Sequence, residues 1–264
     1  MNTPIRHMSM KKKIIQEIHS DSANPLVRYK SIQVGDASWI YFCYYELVTL
    51  LFRNLPGIAG MLMRSLFFRP LLGSAGKKII WGTGITLRNP RSIQVGEQVV
   101  LDDNCVLDAK GTTDTTGITI GAKSFISRGA IVSLKGGHIT IGSESSIGPY
   151  CLVQSMGESH VRIGDCVAIA PYCYVVGAPD YRTESTDTPM VHQGFAEELP
   201  VTIGNDVWIG TSVTVLRGSN VGEGSIVGAN CVVRGTIPPY SVATGNSIAS
   251  VRKSRKASVE APES

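Results

Sequence analysis

The sequence predicts an all-β chain, a parallel β-helix of six-residue repeats, with a helical segment in front of it. Three observations predict it. Every sixth residue from Ile203 is aliphatic: Ile203, Ile209, Val215, Val221, Val227 and Val233. Gly204, Gly210, Gly222 and Gly228 stand directly behind four of these. A small residue recurs four places after each aliphatic, at Val207, Val213, Ser219, Ser225 and Cys231. A 3.6-residue period would carry a position six residues on to another face of a helix, and strict alternation fails as well. Each hexad therefore reads as one short strand and one corner.

The same register runs upstream through Val95, Leu101 and Leu107, then Ile120, Ile126 and Val132, then Ile141, Ile147 and Val153, then Ile163, Ile169 and Val175. Three hexads make one turn of a triangular prism, so residues 79–250 predict about six coils, with Trp81 and Leu87 as irregular early members. The aliphatics stack inward, and the glycines are expected at tight corners where a side chain at positive φ would be resisted. The register is interrupted four times: the step after Leu107 exceeds six by seven residues, after Val132 by three, after Val153 by four and after Val175 by 22. A solenoid can carry such excess only as loops thrown outward, and the excursion at 176–202 is where function is expected.

Ahead of the repeats, residues 1–37 are polar and basic. Within them, KKKIIQEIHS at 11–20 predicts a short helix that Asn24-Pro25 should end. Residues 38–78 are apolar and aromatic, but Glu46, Arg53, Arg64 and Arg69 interrupt them, and no run reaches the roughly 18 uncharged residues of a membrane-spanning helix. Two helices separated at Pro56-Gly57 are expected. Two compatible roles are open for them. They can cap the end of the β-helix, whose strands would otherwise expose an unpaired edge. They can also make peripheral membrane contact, with Arg53, Arg64 and Arg69 near lipid phosphates and Trp39, Tyr41, Phe42, Phe67 and Phe68 in the acyl boundary. Residues 251–264 read as a basic C-terminal tail.

At 264 residues, 43% hydrophobic and 17% charged, the chain is long enough to bury a sizeable core. The net charge of +4 is concentrated at the front: residues 1–73 hold nine Lys/Arg and four Asp/Glu, against 16 and 17 in the remainder. Cys105, Cys151, Cys173 and Cys231 occupy the small inward position of their hexads, where a thiol packs as a small apolar group. The absence of a CxxC pair argues against a zinc or redox motif. The polar opening MNTPIRHMSMKKK does not read as a signal peptide, so a cytoplasmic location is expected, with the inner membrane face as a peripheral option. Nothing beyond the short basic ends supports nucleic-acid binding.

Four motifs carry a resemblance: PVTIGNDVWIGTSVTVLRGSNVGEGSIVGANCVV, the TIPPYSVATGNS that follows, the terminal SVRK, and DTPMVHQGF in the excursion. From about Pro90 to Lys253 the chain resembles the hexapeptide-repeat acyltransferases, specifically the maltose, galactoside and bacterial surface-polysaccharide O-acetyltransferase group. The resemblance implies a left-handed parallel β-helix in a homotrimer with active sites between neighbouring subunits. It implies acetyl-CoA as acyl donor, no metal, and a sugar or glycolipid intermediate of cell-surface polysaccharide synthesis as acceptor. Carried over by residue, Trp208 and Gly210 of the WIG motif line the donor site, Thr211 and Ala229 offer backbone groups to the pantetheine arm, and Arg252 meets a CoA phosphate. Where relatives carry Thr-Lys after the VV pair this chain has Arg234-Gly235, so Arg234 is expected to replace the lost positive charge, and a guanidinium suits phosphate well.

The chain departs from the family at the catalytic base. Transfer to a hydroxyl needs a proton acceptor, and relatives place a His just before the large loop, in a pattern such as GGxHDF. This sequence reads VVGAPDY at 175–181, so the position holds Pro179. Three readings stay open. His192, in the loop, replaces the base; Asp180 or a substrate carboxylate serves instead; or catalysis is lost and the chain is a β-helix scaffold or binding protein. His138 and His160 read as corner residues. A γ-type carbonic anhydrase, with three zinc histidines, fits less well, as do nucleotidyltransferases with a separate nucleotide domain.

Overall fold

The computed structural model describes residues 24–111, 117–245 and 251–254, the last four as backbone. The helix expected at 11–20 lies outside the described residues. Three helices come first: α1 (Pro25–Val34), α2 (Trp39–Phe52) and α3 (Gly57–Phe67). Asn24-Pro25 begins a helix. Asn24 caps α1 by accepting a hydrogen bond from the Leu26 amide at 2.9 Å, and Pro25 occupies the first turn, where the missing N–H costs nothing. Helices α2 and α3 break at Pro56-Gly57 as the sequence predicts, and the rings of Phe52 and Phe67 stack at 4.8 Å to hold them together.

Behind the helices rises a parallel β-solenoid, consistent with the left-handed β-helix that the resemblance implies. Among the described residues its three sheets hold eight, nine and seven strands, and successive coils pair in register, as in Ile120 with Ile141, Ile141 with Ile163, and Ile163 with Ile203. That makes about seven turns rather than six. The additional coil starts at Ser74–Ala75 and runs through Ile80–Trp81 and Thr86–Arg88, ahead of the boundary expected at 79. Its inward series of Ala75, Trp81 and Leu87 lacks the regular aliphatics that mark a hexad. The inward aliphatics and the four cysteines form one buried stack, with Cys105, Cys151, Cys173 and Cys231 at 2% exposure or less. Ser219 and Ser225 occupy the same inward position, and their hydroxyls donate to the carbonyls of Val233 and Pro238.

The glycines behind the aliphatics act through closeness rather than through positive φ. A Cβ at Gly210 would lie 2.7 Å from the Ala229 amide nitrogen of the next coil, and one at Gly96 would lie 2.6 Å from the Ala122 nitrogen. The left-handed position comes two residues later and is filled by glycine at Gly84 and Gly224 but by side-chain-bearing residues at Gln98, Lys123, Tyr150, Ser212 and Asn230.

The N-terminal helices cap the solenoid. Tyr41, Phe42, Tyr45, Val48, Phe68 and Leu71 join the core, with Phe68 edge-to-face on Trp81 at 5.7 Å. This corrects the expected polarity of the segment. Tyr41, Phe42 and Phe68 are buried and Phe67 is partly buried, leaving Trp39 as the exposed one of the five aromatics. Arg64 is 1% exposed, and its guanidinium donates to the carbonyls of Phe52 and Leu55 at 2.9 and 2.6 Å and to that of Trp81 at 3.2 Å. Arg53 donates to the Gly84 carbonyl and to the Thr86 hydroxyl at 2.6 Å, and Arg69 to the Ala75 carbonyl. The Trp81, Gly84 and Ala75 carbonyls belong to the first coil, which has no preceding coil to pair with, and those of Phe52 and Leu55 to the C-terminal end of α2. Among the described residues no helix is long and apolar enough to cross a membrane.

Candidate functional site

The large loop leaves the third sheet after Tyr174–Gly177 and returns to the first at Val201–Ile203. It is ordered by its own contacts. Tyr181 and Phe195 bridge and stack at 4.7 Å, and the Gln193 amide donates to the carbonyls of Ser185 and Thr188 at 2.7 Å each. The Ala196 amide donates to the Asp180 carbonyl at 2.8 Å. At the loop's root, Arg217 of the next coil forms an ion pair with the Asp180 carboxylate. At its return, the Ser159 hydroxyl donates to the Leu199 carbonyl, and the Glu198 carboxylate accepts from the Glu158 amide. A loop of this length pinned at both ends to a rigid prism forms a wall beside it rather than a free strand.

Asp180 and His192 occupy different parts of this loop. The Arg217 guanidinium holds the Asp180 carboxyl below the usual carboxylate range, with Arg234 adding to the effect from a coil further on. A carboxylate held in its charged form is a weak proton acceptor, so the ion pair makes Asp180 an anchor. His192 ends a single 3-10 turn, Met190–His192; its imidazole is exposed and makes no hydrogen bond to the described residues.

The same edge of the prism brings together two histidines that the sequence reading left apart. His138 and His160 open equivalent strands of adjacent coils, pair directly in register, and set their rings 5.2 Å apart. Gly177, from which the loop departs, lies over Ser159 and the His160 carbonyl. His138, His160, Asp180, Arg217 and Arg234 thus follow one another up one edge. The signal was present: the two histidines are 22 residues apart, one coil plus the four-residue insertion. Among the described residues no group of three His, Cys, Asp or Glu side chains is arranged to hold a metal ion.

Of the residues expected at the donor site, Arg234 lies on this edge, and Trp208, Gly210, Thr211 and Ala229 lie elsewhere on the prism. Trp208 stands on the outer surface of the second sheet, 57% exposed, between Ala168 and Ile226. Gly210 spends its backbone on the solenoid, its amide donating to Val227 and its carbonyl accepting from the Cys173 thiol. Thr211 donates its hydroxyl to the Pro171 carbonyl at 2.9 Å, and its own carbonyl accepts from the Asn230 amide at 2.9 Å. Those groups are committed to corner stacking; Ala229 remains on the exposed side of the corner. Arg252 lies in a strand, Val251–Ser254, that pairs antiparallel with Ser241–Ala243, so the expected tail begins as part of the sheet; residues 255–264 lie outside the described residues.

Beneath Thr211 the structure shows two aromatic residues that sequence reasoning missed. Tyr150 and Tyr172, exposed by 57% and 63%, stack with ring centroids 5.6 Å apart. Their signal is a repeated PYC at 149–151 and 171–173, the same corner in two successive coils.

Comparison with known proteins agrees with this architecture. Residues 200–235 match the family profile described as bacterial transferase hexapeptide (six repeats). The stretch that matches is the one in which the solenoid's hexads are most regular, so the chain shares the hexapeptide repeat found in bacterial transferases. Among similar sequences, a probable acetyltransferase of Mycobacterium tuberculosis is 46% identical over 82 residues, 31% of this chain and 27% of that protein. A Staphylococcus aureus protein that carries an acetyltransferase name is 47% identical over 62 residues, 24% of this chain and 31% of its own. The chain thus matches under a third of the length of these relatives. Among solved structures, AntD, an N-acyltransferase from Bacillus cereus in complex with dTDP and 3-hydroxybutyryl-CoA, is similar with a TM-score of 0.51 and 19% identity, over 75% of this chain and 91% of that one. This likeness shows the fold.

Proposed function

We propose that this protein is an acyltransferase that moves an acyl group from a CoA thioester, with acetyl-CoA as the expected donor, to a hydroxyl of a sugar or glycolipid intermediate of cell-surface polysaccharide synthesis. The observation that carries the reading is the anchored loop, whose root places Arg217 and Arg234 in successive coils beside Asp180. The acetyltransferase names of the similar sequences and the CoA thioester bound by AntD support the donor class.

In the reaction, a base takes the acceptor's hydroxyl proton as its oxygen attacks the thioester carbonyl. The C–S bond then breaks, and CoA leaves as a thiolate that takes up a proton. Pro179 has no proton site, and Asp180 is held charged by Arg217. His192 is the proposed base, and His160, on the loop-bearing edge, is the alternative. Trp208 and the Arg217–Arg234 edge occupy different sides of one prism, which favours a homotrimer in which the loop of one copy closes over the Trp208 surface of the next. Pro179 and the commitment of Asp180 favour a second reading, a scaffold that binds a CoA ligand or a sugar without transferring anything.

Calorimetric titration with acetyl-CoA tests the proposal at its first step. Binding that weakens in Trp208→Ala supports a donor site on that surface, whereas no binding by the assembled wild type would overturn the transferase reading.

A further inference from the structure

The two helices that cap the solenoid are turned inside out with respect to charge. Helix α2 has one charged residue, Glu46, half-buried and facing Tyr29; α3 has one, Arg64, fully buried. Their outward sides carry Ile40, Leu47, Leu50 and Leu51 on α2 and Ile58, Leu62 and Leu66 on α3. These are exposed by 52 to 84%, and no charged residue lies among them. A helix that packs on a core and then faces water does the reverse. Apolar exposure on this scale marks a contact surface rather than ordinary scatter.

The surroundings say which contact. Residues 24–78 contain seven Lys/Arg against two Asp/Glu; Arg53 and Arg64 are bonded inward, whereas Lys30 lies beside Trp39, and Arg69, which donates to the Ala75 carbonyl, is exposed beside Leu66. Trp39 and Tyr29 are half-exposed at its margin, with the Lys30 ammonium over the Trp39 ring at 5.6 Å. A charge-free bed of Leu and Ile, rimmed by Trp, Tyr and cations, matches the layered chemistry of an anionic membrane surface: acyl chains, then the interface, then phosphates. We infer that the outward side of α2 and α3 lies in the interface of an anionic lipid bilayer and holds the solenoid on it without spanning it. The assignment stands independently of the transferase reading, because it rests on the cap alone.

The test uses the full chain and vesicles of phosphatidylglycerol with phosphatidylethanolamine, beside vesicles of phosphatidylcholine. Cys43 is exposed within the α2 surface, so a polarity-sensitive fluorophore attached there in a Cys166→Ser background reports insertion. The expected result is co-sedimentation with the anionic vesicles, weakened by salt, and a blue shift of the Cys43 probe. The variant carrying Leu50→Glu and Leu62→Glu should lose binding by about tenfold or more while keeping its circular dichroism spectrum. Three results would overturn the inference: no vesicle binding by wild type; a Cys43 probe already shielded before vesicles are added, which means that protein covers the surface; or a larger wild-type assembly that the Glu variant dissolves, which makes the surface a contact between copies. Acyl transfer to a soluble sugar by the vesicle-free Glu variant separates loss of docking from loss of catalysis.

Discussion

Arg217 holds Asp180 across one coil, tying the root of the longest loop to the edge of the prism. The pair is exposed on the carboxylate side, so it contributes little to global stability. Its effect is local, on where the loop lies. Asp180→Asn and Arg217→Met are each expected to speed tryptic cleavage at Arg182 several-fold at neutral pH, and the double variant should be no faster than either single one. The sign of the pH dependence follows from the lowered carboxyl. The contribution is present in full above the unfolded carboxylate's pKa of about 3.9 and is lost as pH falls through the still lower folded value. Loop anchoring should therefore persist to about pH 4 and fail below it, which hydrogen exchange of the Ala196 amide can follow.

Gly210→Ala should destabilise the solenoid by about 1–3 kcal/mol, because the new methyl meets the Ala229 nitrogen and the Val227 carbonyl of the adjacent coil. Equilibrium denaturation measures this. Cys166→Gly should move the other way by up to about 1 kcal/mol, since Cys166 pays for a side chain at φ 57 that glycine would not.

Arg64→Met removes the donors that serve the carbonyls of Phe52, Leu55 and Trp81 in a buried setting. Each orphaned carbonyl costs about 1–3 kcal/mol, so a clear drop in melting temperature is expected, with the helical cap lost before the coils.

Tyr172→Ala unstacks an exposed pair and should leave the melting temperature nearly unchanged. If the Tyr150–Tyr172 surface bears on a substrate, the variant raises KM several-fold with kcat preserved. An unchanged KM would assign the pair to the surface alone.

How far the sequence reaches differs between parts of the molecule. The coils are legible because one inward aliphatic per strand is a strict geometric demand, repeated from Val95 to Val233 at a period of six between four insertions. In the first coil Trp81 and Leu87 are legible as irregular members, but its opening strand at Ser74–Ala75 is not, because this coil meets the helical cap, which relaxes the demand for a uniform size. The cap's break at Pro56 is visible in sequence, but which side faces inward is not. Hydrophobicity alone sends leucines to the core and Arg64 to water, whereas the carbonyls at the end of α2 and of Trp81 in the first coil need donors and draw the arginine in. At the site, the loop's position is legible from the 22 extra residues. The Asp180–Arg217 pair and the His138–His160 contact join residues 37 and 22 positions apart, and they appear once the insertions are folded back onto the edge.

Transfer itself is the most direct test. CoA release from acetyl-CoA should be measured with a panel of sugar and glycolipid acceptors for wild type, His192→Ala and His160→Ala, each checked for an unchanged melting temperature. The account predicts acceptor-dependent release by wild type that falls at least a hundredfold in His192→Ala, the scale of a lost general base, and survives in His160→Ala. A fall in His160→Ala alone would move the base to the histidine pair. Acceptor-independent or absent release by the wild type would contradict the account and leave a binding scaffold.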